Sequence, residues 1–284
     1  MPFLREKNGA WSPEKIGALA IALVPIVWLA GRTLTGDLDL ARPVTDAIHF
    51  TGRWAVRLLL LSLLVTPARG LLSWNRLIGA RRILGVAAAC YAAFHFTLYV
   101  ADQKFDLAKV ASEIVLRVYL TIGFVALAAL IALAVTSTDA AIRRLGRRWG
   151  VLHRAVYLAA LLAVVHFMMQ KKLDITEPVL MAGLLLWLFG YRLLRRFGVP
   201  ARIPALLALS AAAAGLTALA EAFWYRGMTG VPAGRVLESN LMFDIVIRPM
   251  WWVLAAGVAA TLGTLAWQRL YPREPRRRTL SAAE

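Results

Sequence analysis

The chain alternates long apolar stretches with short, arginine-rich polar blocks. Eight stretches stand out, at about residues 16–33, 47–66, 83–101, 115–136, 151–169, 178–194, 203–221 and 250–268. Each is close to the ~20 residues that an α-helix needs to cross a ~30 Å hydrocarbon layer. The apolar residues come in long runs rather than narrow amphipathic stripes, so lipid is the expected solvent. The pattern predicts an all-α, polytopic transmembrane helical bundle of about eight spans. No strict internal repeat or low-complexity region interrupts it. A seam lies at Arg195-Arg196-Phe197-Gly198-Val199-Pro200, dividing a six-span core (1–200) from a two-span extension (201–284). The seventh span is alanine-rich from Ser210 to Gly215, and small residues of this kind let helices approach closely in a membrane.

Composition agrees with this reading. Hydrophobic residues make up 60% of the chain and charged residues 17%, against roughly 45–50% and about 25% in soluble domains. The net charge of +17 does not indicate nucleic acid, because the arginines sit in blocks that flank the spans. With the N-terminus in the cytoplasm, the cytoplasmic segments carry 21 Lys and Arg and the opposite ones 9. The bias predicts a multi-pass membrane protein with both termini cytoplasmic. The first span follows Arg5, Lys7 and Lys15 as a signal peptide would, but its exit, Trp28-Leu29-Ala30-Gly31-Arg32, offers no small-residue cleavage site, so it is read as an uncleaved anchor. The basic tail, Arg273 to Arg278, is expected on anionic headgroups. The single cysteine, Cys90, lies in an apolar run and is read as a small buried packing residue.

Only four histidines are present, His49, His95, His153 and His166, and all fall in or at the ends of spans. An ionisable side chain inside a membrane is costly and suggests function, and neutral imidazole is a good axial ligand for haem iron. His95 and His166 lie at similar depth near the periplasmic ends of the third and fifth spans. They are placed to clamp one haem between facing helices, or simply to hydrogen-bond neighbouring helices. His153 lies 13 residues before His166, roughly 20 Å along the axis and, on an ideal helix, roughly 140° around it. A second, cytoplasmic-side haem on His153 is therefore conceivable, but no histidine partner stands at its depth.

Asp46, His49, Arg53 and Arg57 share one face of the second span, at i, i+3, i+7 and i+11. Arg53, and less directly Arg57, are candidates to bind haem propionates; otherwise both snorkel, or pair with Asp46 and Glu113. His49 is a candidate third ligand or quinone-site residue. The segment from Ser137 to Arg154 is expected to hold a short amphipathic helix capped by Ser137, Thr138 or Asp139, with its arginines on lipid, flavin or haem. No dinucleotide-binding or P-loop signature occurs, so electrons must come from a lipid-soluble donor or another protein. At and within the 222–249 loop, Glu221 just before it and Trp224, Tyr225, Arg226, Glu238, Asp244 and Arg248 inside it are read as solvated residues or as a docking surface.

Four ordered motifs then carry a resemblance. They are His49-Phe50-Thr51-Gly52-Arg53 with Leu64-Val65-Thr66-Pro67; Arg81-Arg82-Ile83-Leu84-Gly85 leading to His95 and Tyr99; Tyr119-Leu120-Thr121-Ile122-Gly123; and Thr136-Ser137-Thr138 through Leu145-Gly146-Arg147-Arg148-Trp149 to His153, Val156-Tyr157-Leu158 and His166. Over roughly residues 17–196 the chain resembles the MsrQ/YedZ family, the haem-binding membrane subunits of the bacterial methionine sulfoxide reductase system, within the ferric-reductase-like transmembrane superfamily. The resemblance implies an oxidoreductase subunit that takes electrons from the quinone pool, with FMN implicated. It would pass them through one or two b haems to a periplasmic molybdopterin subunit, which reduces methionine sulfoxide in oxidised proteins. It places the haem-ligand histidines at His95, His153 and His166. The two extra spans depart from the family pattern. The competing readings are a stand-alone ferric or cytochrome b-type reductase and, in a different class, a haem-free transporter or scaffold. Transporters favour paired helix breaks near mid-membrane, and Pro25 is the clearest proline within a predicted span.

Overall fold

A computed structural model describes residues 4–5, 9–37, 42–171, 174–243 and 246–271. The basic tail and Asp244 lie outside these. The described chain is helical, and its only β pairing is a single bridge between Arg5 and Trp11. In order the helices are α1 (Pro13–Thr35), α2 (Pro43–Leu72), α3 (Ile78–Asp102), α4 (Leu107–Leu116), α5 (Val118–Val135), α6 (Asp139–Leu145), α7 (Arg147–Leu152), α8 (Ala155–Gln170), α9 (Thr176–Arg196), α10 (Ile203–Thr229), α11 (Ala233–Leu241) and α12 (Pro249–Leu270). Eight helical stretches are long and apolar enough to cross a membrane, with α7 and α8 together forming the fifth. They coincide with all eight stretches read from the sequence, and the chain is a multi-pass membrane protein. Proline at the first turn of α1, α2, α10 and α12 starts each where a backbone N–H would have no partner anyway.

Several helices outrun their apolar cores. The second was expected to end at 66 and runs to Leu72; the seventh was expected to end at 221 and runs to Thr229. Polar residues in the headgroup zone can stay helical, because continuing the helix is the cheapest way to satisfy their backbone groups. This puts Pro67 inside α2. Pro67 has no N–H for the carbonyl four residues back, and Arg192 of α9 donates to that orphaned Leu63 carbonyl at 2.6 Å. Near Pro25 of α1, Tyr91 of α3 donates to the Ala22 carbonyl at 2.8 Å. The Pro67 break is therefore repaired by a side chain of a neighbouring helix. Cys90, read from the sequence as buried, is exposed on α3, because its neighbour Tyr91 takes the inward position.

α2 is the central helix and packs on α3, α8 and α9; its Leu58, Leu59 and Leu63 are essentially sealed from solvent. Ala88 of α3 and Ala159 and Ala160 of α8 are fully buried, so backbones come close, which is how membrane helices gain dispersion energy where no hydrophobic drive exists. α10 and α12 pack on each other and on α9. Glycines make that contact: a Cβ at Gly183 would collide with Thr217 and Val253, one at Gly190 with Leu209, and one at Gly257 with Ser210 and Trp187.

Two expectations about the polar segments are revised. Thr138 does cap α6, accepting from the Ala141 N–H at 3.1 Å. The fifth span, however, is no ideal helix at His153: the N–H groups of Arg154, Val156 and Tyr157 bond three residues back rather than four. This tightened turn removes the basis for the 140° phase between His153 and His166. In the seventh–eighth connection, Glu221 is no solvated loop residue. It is 1% exposed on α10, because the helix continues past it and α11 and α12 close over it.

Candidate functional site

His95 of α3 and His166 of α8 come together, with ring centres 6.4 Å apart and planes at 78°. They are held by the same construction. His95 Nδ1 lies 2.8 Å from the Ile48 carbonyl of α2, and His166 Nδ1 lies 2.8 Å from the Tyr119 carbonyl of α5. A carbonyl can only accept, so each Nδ1 carries the proton and each Nε2 keeps its lone pair. Neither Nε2 takes part in a hydrogen bond among the described residues. Four residues after each carbonyl, one helical turn on, stands a glycine on which the ring rests. A Cβ at Gly52 would stand 3.0 Å from His95 Nδ1, and one at Gly123 would stand 2.7 Å from His166 Nδ1 and Cε1.

Both rings line a cavity of ≈ 1230 Å³, counting its open side. Its walls are mainly apolar, with Val56 and Leu59 of α2, Leu127 and Leu130 of α5 and Phe167 of α8 among them. Its polar wall groups are few: His49, Arg53, Gln170, Lys171 and the tyrosines Tyr99 and Tyr119. The two tyrosines are tied together at the surface. Tyr99 donates to Glu113 at 2.6 Å, Arg117 pairs with Glu113 at 3.1 Å and donates to the Tyr119 hydroxyl at 3.3 Å. Just beyond the cavity, on the turn before α9, the hydroxyl and N–H of Thr176 hold the Asp174 carboxyl below its usual pKa.

The donor set can be tested against a metal. No group of three or more His, Cys, Asp or Glu suited to a bare ion exists among the described residues. Two imidazoles alone are too few for a structural or catalytic zinc-type site. They suit an iron whose remaining positions come with a macrocycle. Two metal–nitrogen bonds of about 2 Å each, plus the reach from each nitrogen to its ring centre, separate paired rings by roughly 6 Å, as His95 and His166 are separated. The carbonyl partners fix tautomer and ring orientation, as in ligating histidines generally. The residues present therefore fit haem.

The other sequence candidates are placed as follows. His49 and Arg53 line the cavity with the pair. Arg57 does not: it pairs with Glu177 of α9 at 2.6 Å and lies over the Trp54 ring at 5.0 Å. Glu177 also lies 3.9 Å from Arg53. The expected partners of these arginines are taken elsewhere, Asp46 by Arg32 at 3.3 Å and Glu113 by Arg117. The true partner is 120 residues away in sequence, beyond any helix-spacing argument. His153 stands apart from the cavity. It stacks on Trp149 at 3.8 Å, with Nδ1 3.1 Å from the Trp149 carbonyl and Nε2 3.3 Å from Ser137 Oγ. Sequence reasoning passed over Lys171, Gly52 and Gly123 as site residues. The glycines had a signal: each costs about 1 kcal/mol relative to alanine inside a helix, so two within apolar spans call for a reason.

Comparison with known proteins supplies the family. Residues 51–164 match the model of the ferric reductase like transmembrane component. The chain is 42% identical over 185 residues, 63% of its length, to the protein-methionine-sulfoxide reductase heme-binding subunit MsrQ of Rhodospirillum rubrum, covering 88% of that protein. It is 43% identical over 187 residues (65% of this chain, 86% of the relative) to the MsrQ of Agrobacterium fabrum. It is 45% identical over 184 residues (64% and 82%) to that of Brucella ovis. The chain belongs to the MsrQ family. No solved structure matches it. The matched ferric-reductase-like region of this MsrQ family member spans Gly52, His95, Tyr119 and Gly123 of the cavity and ends two residues before His166.

Proposed function

We propose that the chain is the haem-bearing membrane subunit of a methionine sulfoxide reductase system, carrying electrons to a periplasmic partner. The observation that carries this reading is the imidazole pair: two rings 6.4 Å apart, each with Nδ1 committed to a carbonyl and Nε2 left free, at the wall of an apolar cavity. The names of the MsrQ relatives, which describe heme-binding subunits of a protein-methionine-sulfoxide reductase, support it.

His95 and His166 are the residues proposed to hold haem b, which would supply a one-electron carrier there. The chain's own residues do the rest. Ile48 and Tyr119 hold the imidazoles in the ligating tautomer. Gly52 and Gly123 leave room for the rings. The apolar wall of α2, α5 and α8 excludes water. Arg53 and Lys171, the cations of the cavity wall, are the proposed partners for the carboxylates of the macrocycle, while Arg57 positions Glu177. His49, unneeded as a ligand for the pair, remains the proposed quinone-side group. A second haem on His153 is proposed only with loss of its Ser137 contact. The inner membrane, cytoplasmic termini, a quinol donor, FMN and a molybdopterin-containing partner complete the proposal, supported by the basic-residue bias and the family resemblance. Residues 1–200 are proposed to form the electron-carrying core and 201–284 an added unit.

The test is reconstitution in nanodiscs. A quinol analogue added without oxygen should reduce the bound haem, and the purified periplasmic reductase subunit with oxidised protein substrate should reoxidise it. Reduction of ferric chelates by the chain alone, with no response to the partner, would favour a stand-alone reductase.

A further inference from the structure

We infer that the extension holds a preorganised arginine socket, formed by Arg235 and Arg248, that docks an acidic side chain of the electron-accepting protein. The inference deepens the proposed function and rests on it. A second cavity of ≈ 570 Å³ lies between α10, α11 and the start of α12, lined by Tyr225, Val231, Arg235, Val236, Ser239 and Arg248. It shares no lining residue with the haem cavity. The backbone N–H of Ile175 donates to the Tyr225 hydroxyl; Ile175 is four residues past Lys171 of the haem-cavity wall, and four residues span at most about 14 Å.

Arg248 is held from behind. Its guanidinium pairs at 3.2 Å with Glu221, which is 1% exposed, and Asn240 of α11 donates to the same carboxylate at 2.9 Å. Trp251 of α12 donates to the Asn240 carbonyl at 2.8 Å. A buried carboxylate at the end of a membrane helix is costly unless it has a task, and this one fixes an arginine at the wall of a cavity. The residues that line the socket include two guanidiniums and no carboxylate; Glu221 offsets Arg248 from behind and Asp174 acts on Tyr225 from outside the lining, which leaves Arg235 to meet an aspartate or glutamate from the partner. Glu238, exposed on α11, does not line it. Beside the socket, Leu241, Met242 and Phe243 are 71%, 64% and 71% exposed, and Phe243 packs on Trp251 at 5.0 Å. Arginine anchors beside exposed Phe and Met are what energetically important protein interfaces use. The position beside the haem cavity favours a redox partner over a lipid headgroup as the occupant.

Arg235 is the residue to change, because it is exposed, whereas removing Arg248 would leave Glu221 buried and unpaired. Haem-loaded chain in nanodiscs would be reduced and mixed with increasing concentrations of the periplasmic reductase subunit. For Arg235→Gln the concentration giving half-maximal haem reoxidation should rise about tenfold, and further for Arg235→Glu, with a weaker dependence on salt than wild type. Haem content and spectrum should match wild type, which reports correct folding. Unchanged half-saturation and salt dependence in both variants, with wild type reoxidised normally, would overturn the socket and leave the proposed function standing. Wild-type haem that is never reoxidised would overturn both. An effect of Arg235→Gln seen only in nanodiscs containing phosphatidylglycerol would assign the socket to lipid and overturn the protein partner.

Discussion

His166 and His153 lie 13 residues apart on the same span, yet the molecule treats them differently. His166, like His95, uses one nitrogen on a backbone carbonyl of another helix and leaves the other free in an apolar cavity. His153 has a contact for both nitrogens, from its own turn and from Ser137, and its ring lies flat on Trp149. A buried imidazole with an idle lone pair has lost hydration without replacement, which is tolerable where a ligand restores the missing bond. An imidazole with both nitrogens engaged is already paid for by the protein. On the proposed reading, the contrast marks His166 as a ligand position and His153 as one that binds haem only if its present contacts are given up.

The glycine cradles give the largest break of this contrast. Gly123→Val should drive His166 off its seat, since even a Cβ there would stand 2.7 Å from the ring; haem recovered per chain should fall at least tenfold. Gly150→Ala, three residues from His153 and with nothing within 4 Å, is the matched control and should retain full haem. Equal haem in both variants would remove the cradle from the account. Gly52→Ala, where the approach is 3.0 Å, should lower haem retention less than Gly123→Val.

Next in size is the cation of the cavity wall. Arg53→Ala should weaken haem binding about tenfold, the scale of one lost charge-assisted hydrogen bond, measured by haem transfer to apomyoglobin. Arg57→Ala should change retention little, because its guanidinium is spent on Glu177; equal losses in the two variants would contradict the placement. His153→Ala should keep the haem of the pair, and pyridine haemochrome analysis would then show whether any second haem has gone.

The smallest effect is an acid-side one outside the site. Arg82 donates to Asp139 at 2.7 Å, and that hydrogen bond holds the Asp139 carboxyl below its ordinary pKa. A depressed carboxyl contributes stability that is present above its unfolded pKa and lost as pH falls through the folded one. Thermal stability of wild type should therefore fall slightly more on acidification than that of Asp139→Asn. Both groups are largely exposed, so the difference should be small, and parallel curves would show that the pair contributes nothing.

The spans were legible because twenty apolar residues in a row leave few alternatives, and the His95–His166 pairing was legible because equal depth on two spans is a one-dimensional property. What the sequence could not reveal depended on which distant helix supplies a partner. Glu177 captures Arg57, Arg192 captures the carbonyl freed by Pro67, and Arg248 meets Glu221; each needs the bundle assembled before it can be named. The phase of His153 could not be read from ideal spacing for a local reason, since three-residue bonding around it departs from the 100° step. Gly52 and Gly123 were visible as motif letters, but their role emerged only when the rings they seat came from α3 and α8.

The central claim is that His95 and His166 together bind one b-type haem. The most direct measurement is the reduced-minus-oxidised absorption spectrum, with pyridine haemochrome quantification, of the purified full chain beside His95→Ala and His166→Ala. The account predicts a b-type spectrum in wild type and loss of at least one haem equivalent in each variant, with the protein still inserted in the membrane. A wild-type chain without haem despite ample supply, or full haem content in both variants, would contradict it.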